Sequence, residues 1–94
     1  MPPSNAASRS NVPSQGLLQA LADNIRRERK ALGLTQEALG RKAGLERSYV
    51  SHLEGLRIPN PTLGSIATLA GALGTTVSQL LRESSVTRKS KPAP

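Results

Sequence analysis

Residues 34–54, LTQEALGRKAGLERSYVSHLE, hold two short helical patterns separated by a glycine, and their reading decides the fold. Thr35 is a helix-capping type with Gln36 and Glu37 in the turn behind it, and the apolar Ala38, Leu39 and Ala43 then recur at helical spacing. Gly44 stops this helix: without a Cβ it can take the left-handed backbone conformation past a helix end, and Leu45 then turns into the core. A second helix opens at Glu46 or Arg47. Val50 and Leu53 mark its inner face, which leaves Arg47, Ser48, Ser51 and His52 outward. These outward groups are hydrogen-bonding types that can reach base edges and phosphates.

Working outward, residues 1–16 are rich in Pro, Ser, Asn and Ala, carry one charge (Arg9) and show no period, which reads as a disordered N-terminal arm. From Leu17 the pattern becomes helical, with Leu18, Leu21, Ile25 and Leu32 mainly on one face, and Gly33 ends this first helix. Helix two is expected at 36–43 and helix three at 47–54, closed by Gly55; Pro59 and Pro61 make 56–61 a loop. Thr62 caps helix four, whose apolar stripe is Leu63, Ile66, Leu69, Ala70 and Leu73, with Gly74 as its terminator. A fifth short helix, 77 to about 82, follows the candidate caps Thr75 and Thr76. Residues 84–94 read as a disordered basic tail. With no strand-like alternation, the expected class is all-α: a compact five-helix bundle over 17–83.

Thirteen Lys and Arg stand against six acids in 94 residues, a net charge of +7, so one small domain with a polyanionic partner is indicated. Tyr49 is the single aromatic residue, which argues against a base-stacking surface for single strands or RNA and favours duplex DNA. The absence of cysteine leaves no disulfide or thiolate metal site, and one histidine leaves no credible metal cluster, so neither metal nor cofactor is expected. No apolar run has the length of a signal peptide core or a membrane span, and a cytoplasmic location is the expectation. Catalysis lacks its parts: Ser48, Ser51, His52 and Glu54 lie on one short helix and cannot converge as nucleophile, base and orienter.

Through GLTQEAL, RKAGLERSYVSHLEG, NPTL, IATLAGALG and TVSQLL, over roughly residues 25–81, the chain resembles the Cro and phage-repressor type of helix-turn-helix DNA-binding domain. Within that family LERSYVSHLE is similar to the restriction-modification controller proteins. The resemblance implies a lambda-repressor-like bundle in which helices two and three form the helix-turn-helix and helix three enters the major groove. It implies that Gln36 holds a phosphate, that Arg47 and Ser48 read bases, that Ser51 and His52 share the DNA-facing side, and that Arg57 touches the backbone. Tyr49 either donates its hydroxyl to a phosphate or packs at the edge of the motif. Arg29 and Glu54 match a structural ion pair of some relatives. Two departures stand out: Glu46 occupies a position where many relatives have a small hydroxyl cap and would repel phosphate unless it pairs with Arg47 or accepts from cytosine N4, and the 55–61 loop is one residue longer, with Leu56 at the usual glycine position.

The reading is therefore a sequence-specific duplex-DNA-binding transcriptional regulator, a repressor or controller, acting as a homodimer on a pseudo-palindromic operator. Val77, Leu80 and Leu81 are the expected dimer interface, because so short a helix can hardly bury them within its own domain; the alternative is that they close the monomer core. The competing function is an antitoxin or co-regulator acting mainly through protein–protein contacts, with its two terminal segments folding on a partner.

Overall fold

Every helix start but that of the third follows a hydroxyl side chain. Ser14, Thr35, Thr62 and Thr76 each accept from a backbone N–H three residues on, at 3.0–3.1 Å. The computed structural model describes residues 14–83, which form α1 (Gln15–Ala31), α2 (Gln36–Ala43), α3 (Arg47–Glu54), α4 (Leu63–Leu73) and α5 (Val77–Leu80), with no strand among them. The expected arm and tail, apart from residues 14–16, lie outside the described residues. α1 begins two residues before Leu17 because the Ser14 cap recruits Gln15 and Gly16, which carry no apolar signal.

The core is aliphatic: Leu21 and Ile25 of α1, Leu39 of α2, Val50 and Leu53 of α3, Ile66, Leu69, Ala70 and Leu73 of α4, and Leu80 of α5. Two leucines expected on buried faces are not there. Leu32 is 51% exposed as the C-cap of α1, and Leu63, the first residue of α4, is 68% exposed. Leu80 corrects the expected interface. It is 1% exposed within its own chain and closes the monomer core, whereas Val77 and Leu81 are only half-buried.

The turn between α2 and α3 is tight. Gly44 takes φ +74°, the Leu45 N–H donates to the Gly40 carbonyl at 2.7 Å, and a Cβ on Gly40 would stand 2.7 Å from the Leu45 carbonyl oxygen. Gly40, which the sequence reading did not single out, is thus required by close backbone approach. At the end of α3 the left-handed residue is Leu56 (φ +63°), not Gly55 (φ −89°). The Arg57 N–H still closes on the His52 carbonyl at 2.8 Å, so the longer loop keeps the usual termination with a leucine in a conformation that costs about 1–2 kcal/mol for L-residues.

α5 ends two residues before the expected Arg82, and the cause lies in α1. Asn24, 2% exposed, donates through Nδ2 to the carbonyls of Leu80 (2.8 Å), Arg82 (2.9 Å) and, more weakly, Gln79 (3.3 Å), while its Oδ1 accepts from Arg27 at 2.7 Å. One buried amide therefore partners the Leu80 and Arg82 carbonyls, while that of Gln79 also accepts from the Arg82 N–H at 3.3 Å. Asn24→Ala should leave the Leu80 and Arg82 carbonyls without this donor and destabilise the fold by about 1–3 kcal/mol, measured by urea unfolding. An unchanged midpoint would show that water replaces the amide without cost.

Candidate nucleic-acid interface

The geometry of the two-helix motif is set from beneath by charge. Glu54, the last residue of α3, is 3% exposed, and Arg29 of α1 meets it with both ends of its fork: Nε to Oε2 at 2.7 Å and Nη2 to Oε1 at 2.9 Å. The remaining Arg29 nitrogen, Nη1, donates to the Leu34 carbonyl at 2.9 Å, on the lead into α2. Arg26 adds a bond from Nη2 to the Glu54 backbone carbonyl at 2.8 Å, and Gln36 donates from Nε2 to Glu54 Oε1 at 3.1 Å. The structure thus forms the ion pair expected of Arg29 and Glu54, and adds Arg26 and Gln36 to it.

Burial pushes the Glu54 carboxyl up and is the largest single influence. The hydrogen bonds from Arg29 and Gln36, with the field of Arg29 and Arg26, together outweigh it, and the group lies below the ordinary carboxylate range. The same hydrogen bond to Glu54 raises Arg29, against the opposing effect of its burial.

Above this pair, α3 presents Arg47, Ser48 and His52 as exposed side chains with no side-chain hydrogen bond or ion pair among the described residues. Val50 and Leu53 fix the helix rotation by filling the core, which is what turns these three outward. Arg57 is exposed in the following loop. Ser51 is half-buried rather than outward. Glu46 is the N-cap of α3 without a side-chain cap bond, and no guanidinium lies within 4.0 Å of it among the described residues, so of its two alternatives the pairing with Arg47 is not formed.

Tyr49 is half-buried against the core, in keeping with the packing alternative, and its hydroxyl lies 2.6 Å from Ser65 Oγ, where either oxygen can donate; Ser65 Oγ also lies 3.0 Å from the Thr62 carbonyl. Tyr49 joins α3 to the first turn of α4. Ser65 was not recognised from sequence; its three-residue spacing from the Thr62 cap marks a helix start but not a tyrosine partner. No group of three or more His, Cys, Asp or Glu among the described residues could hold a metal, and no helix there is long and apolar enough to cross a membrane.

Residues 20–83 match the family model described as a helix-turn-helix domain. The immunity repressor protein of Bacillus phage phi105 is 43% identical over 65 residues, 69% of this chain but 42% of the repressor, so the match spans less than half of that relative. The control protein C.SmaI of Serratia marcescens is 40% identical over 63 residues, covering 67% of this chain and 74% of that protein. Among solved structures, a hypothetical transcription factor from Neisseria superposes with TM-score 0.70 at 42% identity, covering 77% of this chain and 81% of that one. The biofilm master regulator SinR, solved in complex with DNA, gives TM-score 0.63 at 29% identity over 66% of this chain and 98% of the chain in that structure.

A carboxyl lowered on folding stabilises the folded state fully above its unfolded pKa, about 4.3, and loses that contribution as pH falls through the still lower folded value. Thermal unfolding followed by circular dichroism should therefore show an acid limb below about pH 4.3 that is shallower in Glu54→Gln, a variant already less stable at neutral pH. Parallel acid limbs in the two proteins would mean that Glu54 is not the group being protonated.

Proposed function

Given that the chain belongs to the helix-turn-helix family of DNA-binding transcriptional regulators, we propose that it is a repressor or controller that reads duplex DNA with α3 in the major groove. The observation that carries this reading is the exposed row Arg47, Ser48 and His52, without side-chain partners among the described residues and held outward by Val50 and Leu53. Arg47 stands at the helix start, where a guanidinium can pair bidentately with guanine O6 and N7, and Ser48 accepts or donates beside it. Arg57 and Gln36 serve the phosphates on either side, the loop from past α3 and the glutamine from the start of α2. The DNA-bound form of SinR supports a duplex as the partner of this fold. The net charge of +7 supplies the sequence-independent attraction.

One recognition helix reads only a few base pairs, so selectivity calls for a homodimer on a pseudo-palindromic site, with paired α3 helices about 34 Å apart along one face of the duplex. Val77 and Leu81, half-buried beside the core, remain the surface through which such a dimer would form. Sedimentation of one protein per operator, with the free chain monomeric at high concentration, would remove the dimer.

The decisive experiment is selection of a binding site from random duplexes, followed by Arg47→Ala on the selected sequence. The expected loss is about 1–3 kcal/mol with relaxed preference at one base pair per half-site. Unchanged affinity and preference would reject α3 as the reading helix. Affinity should also fall steeply between low and physiological salt as Lys and Arg displace counterions. Salt-independent binding would favour the antitoxin or co-regulator reading instead.

A further inference from the structure

Gln36 is attached to the buried ion pair rather than left free at the surface. Its Nε2 donates to Glu54 Oε1 at 3.1 Å, and two residues earlier the Leu34 carbonyl accepts from Arg29 at 2.9 Å. Backbone lead-in and side chain of the same residue are thus held by the two members of one ion pair. An ionised carboxylate only accepts hydrogen bonds, so the Gln36 amide cannot flip without setting its Oε1 against Glu54. Orientation is thereby fixed: one N–H goes to Glu54 and the second is left without a partner among the described residues. Gln36 is also the first residue of α2, and Thr35 Oγ1 caps the Ala38 N–H, leaving the Gln36 and Glu37 backbone N–H groups without intrahelical acceptors.

We infer that Glu54 is a positioning residue for DNA binding: by holding the Gln36 amide in one orientation it presents the second N–H, with the first-turn backbone donors of α2, to a phosphate oxygen of the duplex. The inference rests on the DNA-binding reading above. The buried pair then has two roles carried by different atoms. Oε2 accepts only from Arg29 among the described residues and serves the angle between α1 and α3, while Oε1, shared between Arg29 Nη2 and Gln36 Nε2, also sets a donor at the surface. A phosphate contact made this way is ordered before DNA arrives, so the side-chain ordering that binding otherwise requires is already in place.

The test is a double-mutant cycle on a mixed-sequence DNA duplex at fixed salt. Gln36→Ala is measured in the parent and in Arg29→Met/Glu54→Met, an apolar replacement of the kind that often keeps such folds intact while removing the anchor. Gln36→Ala should weaken the parent about tenfold, the weight of one charge-assisted hydrogen bond, and the anchorless background by less than about twofold. Equal losses in both backgrounds would overturn the inference, since a purely structural Glu54 changes the unfolding temperature but not what Gln36 contributes. Should the double replacement not fold, nuclear magnetic resonance of the parent decides. On adding duplex, the second Gln36 amide proton should shift while the one bound to Glu54 stays in place; movement of neither proton would overturn it. A parent protein that binds no duplex removes the DNA-binding reading and this inference together, whereas tight binding with equal losses removes the inference alone.

Discussion

The bidentate contact between Arg29 and Glu54 is the constraint on which the remaining geometry depends. Removing two charges from water opposes folding, and an apolar pair of similar volume could fill the same space. What aliphatic packing does not supply is direction. The core contains leucine, isoleucine, valine and alanine with no phenylalanine or tryptophan in the chain, and such side chains tolerate rotation of one helix against another. A planar fork on a carboxylate does not. The pair fixes the end of α3 against α1 and, through the Leu34 carbonyl, the start of α2, so the two helices of the motif share one reference point.

The outward face of α3 follows from that reference. Exposure of Arg47, Ser48 and His52 is not a lack of structure but the product of two buried neighbours and an anchored terminus. Tyr49, one position on from Ser48, is drawn to Ser65 and braces α3 against α4. Side chains that pack and side chains that face solvent are therefore interleaved along eight residues of helix. This division keeps the exposed groups apart from the hydrogen bonds that hold the helix in place.

Much of this was legible in the sequence wherever the cause is local. Hydroxyl caps, left-handed glycines and apolar spacing locate the helices because each acts within about one turn. Leu56 could be recognised as an oddity because it displaces a glycine, and its φ of +63° agrees. Arg29 and Glu54 were matched through family resemblance, since nothing in their 25-residue separation announces a contact. The contacts that the sequence does not announce act across longer distances or through packing. Asn24 reaches 56 residues to Leu80, Gln36 reaches 18 to Glu54, and Tyr49 reaches 16 to Ser65. Leu63 and Leu80 exchange their expected environments because periodicity assigns a residue to a face without saying what covers it.

Asn24 also bears on the order in which the molecule can be made. Its acceptors lie at residues 79–82, and those residues also cover it, so in a nascent polypeptide that has reached only α4 the amide still has water to bond. Leu80, the last buried core residue among those described, is missing at that stage as well. The helices of the motif are made early, while the contacts that close α1 against α5 become available only once residue 82 has been added. A chain that stops short of that point lacks both the apolar and the polar half of this closure, the kind of incomplete packing that proteases attack.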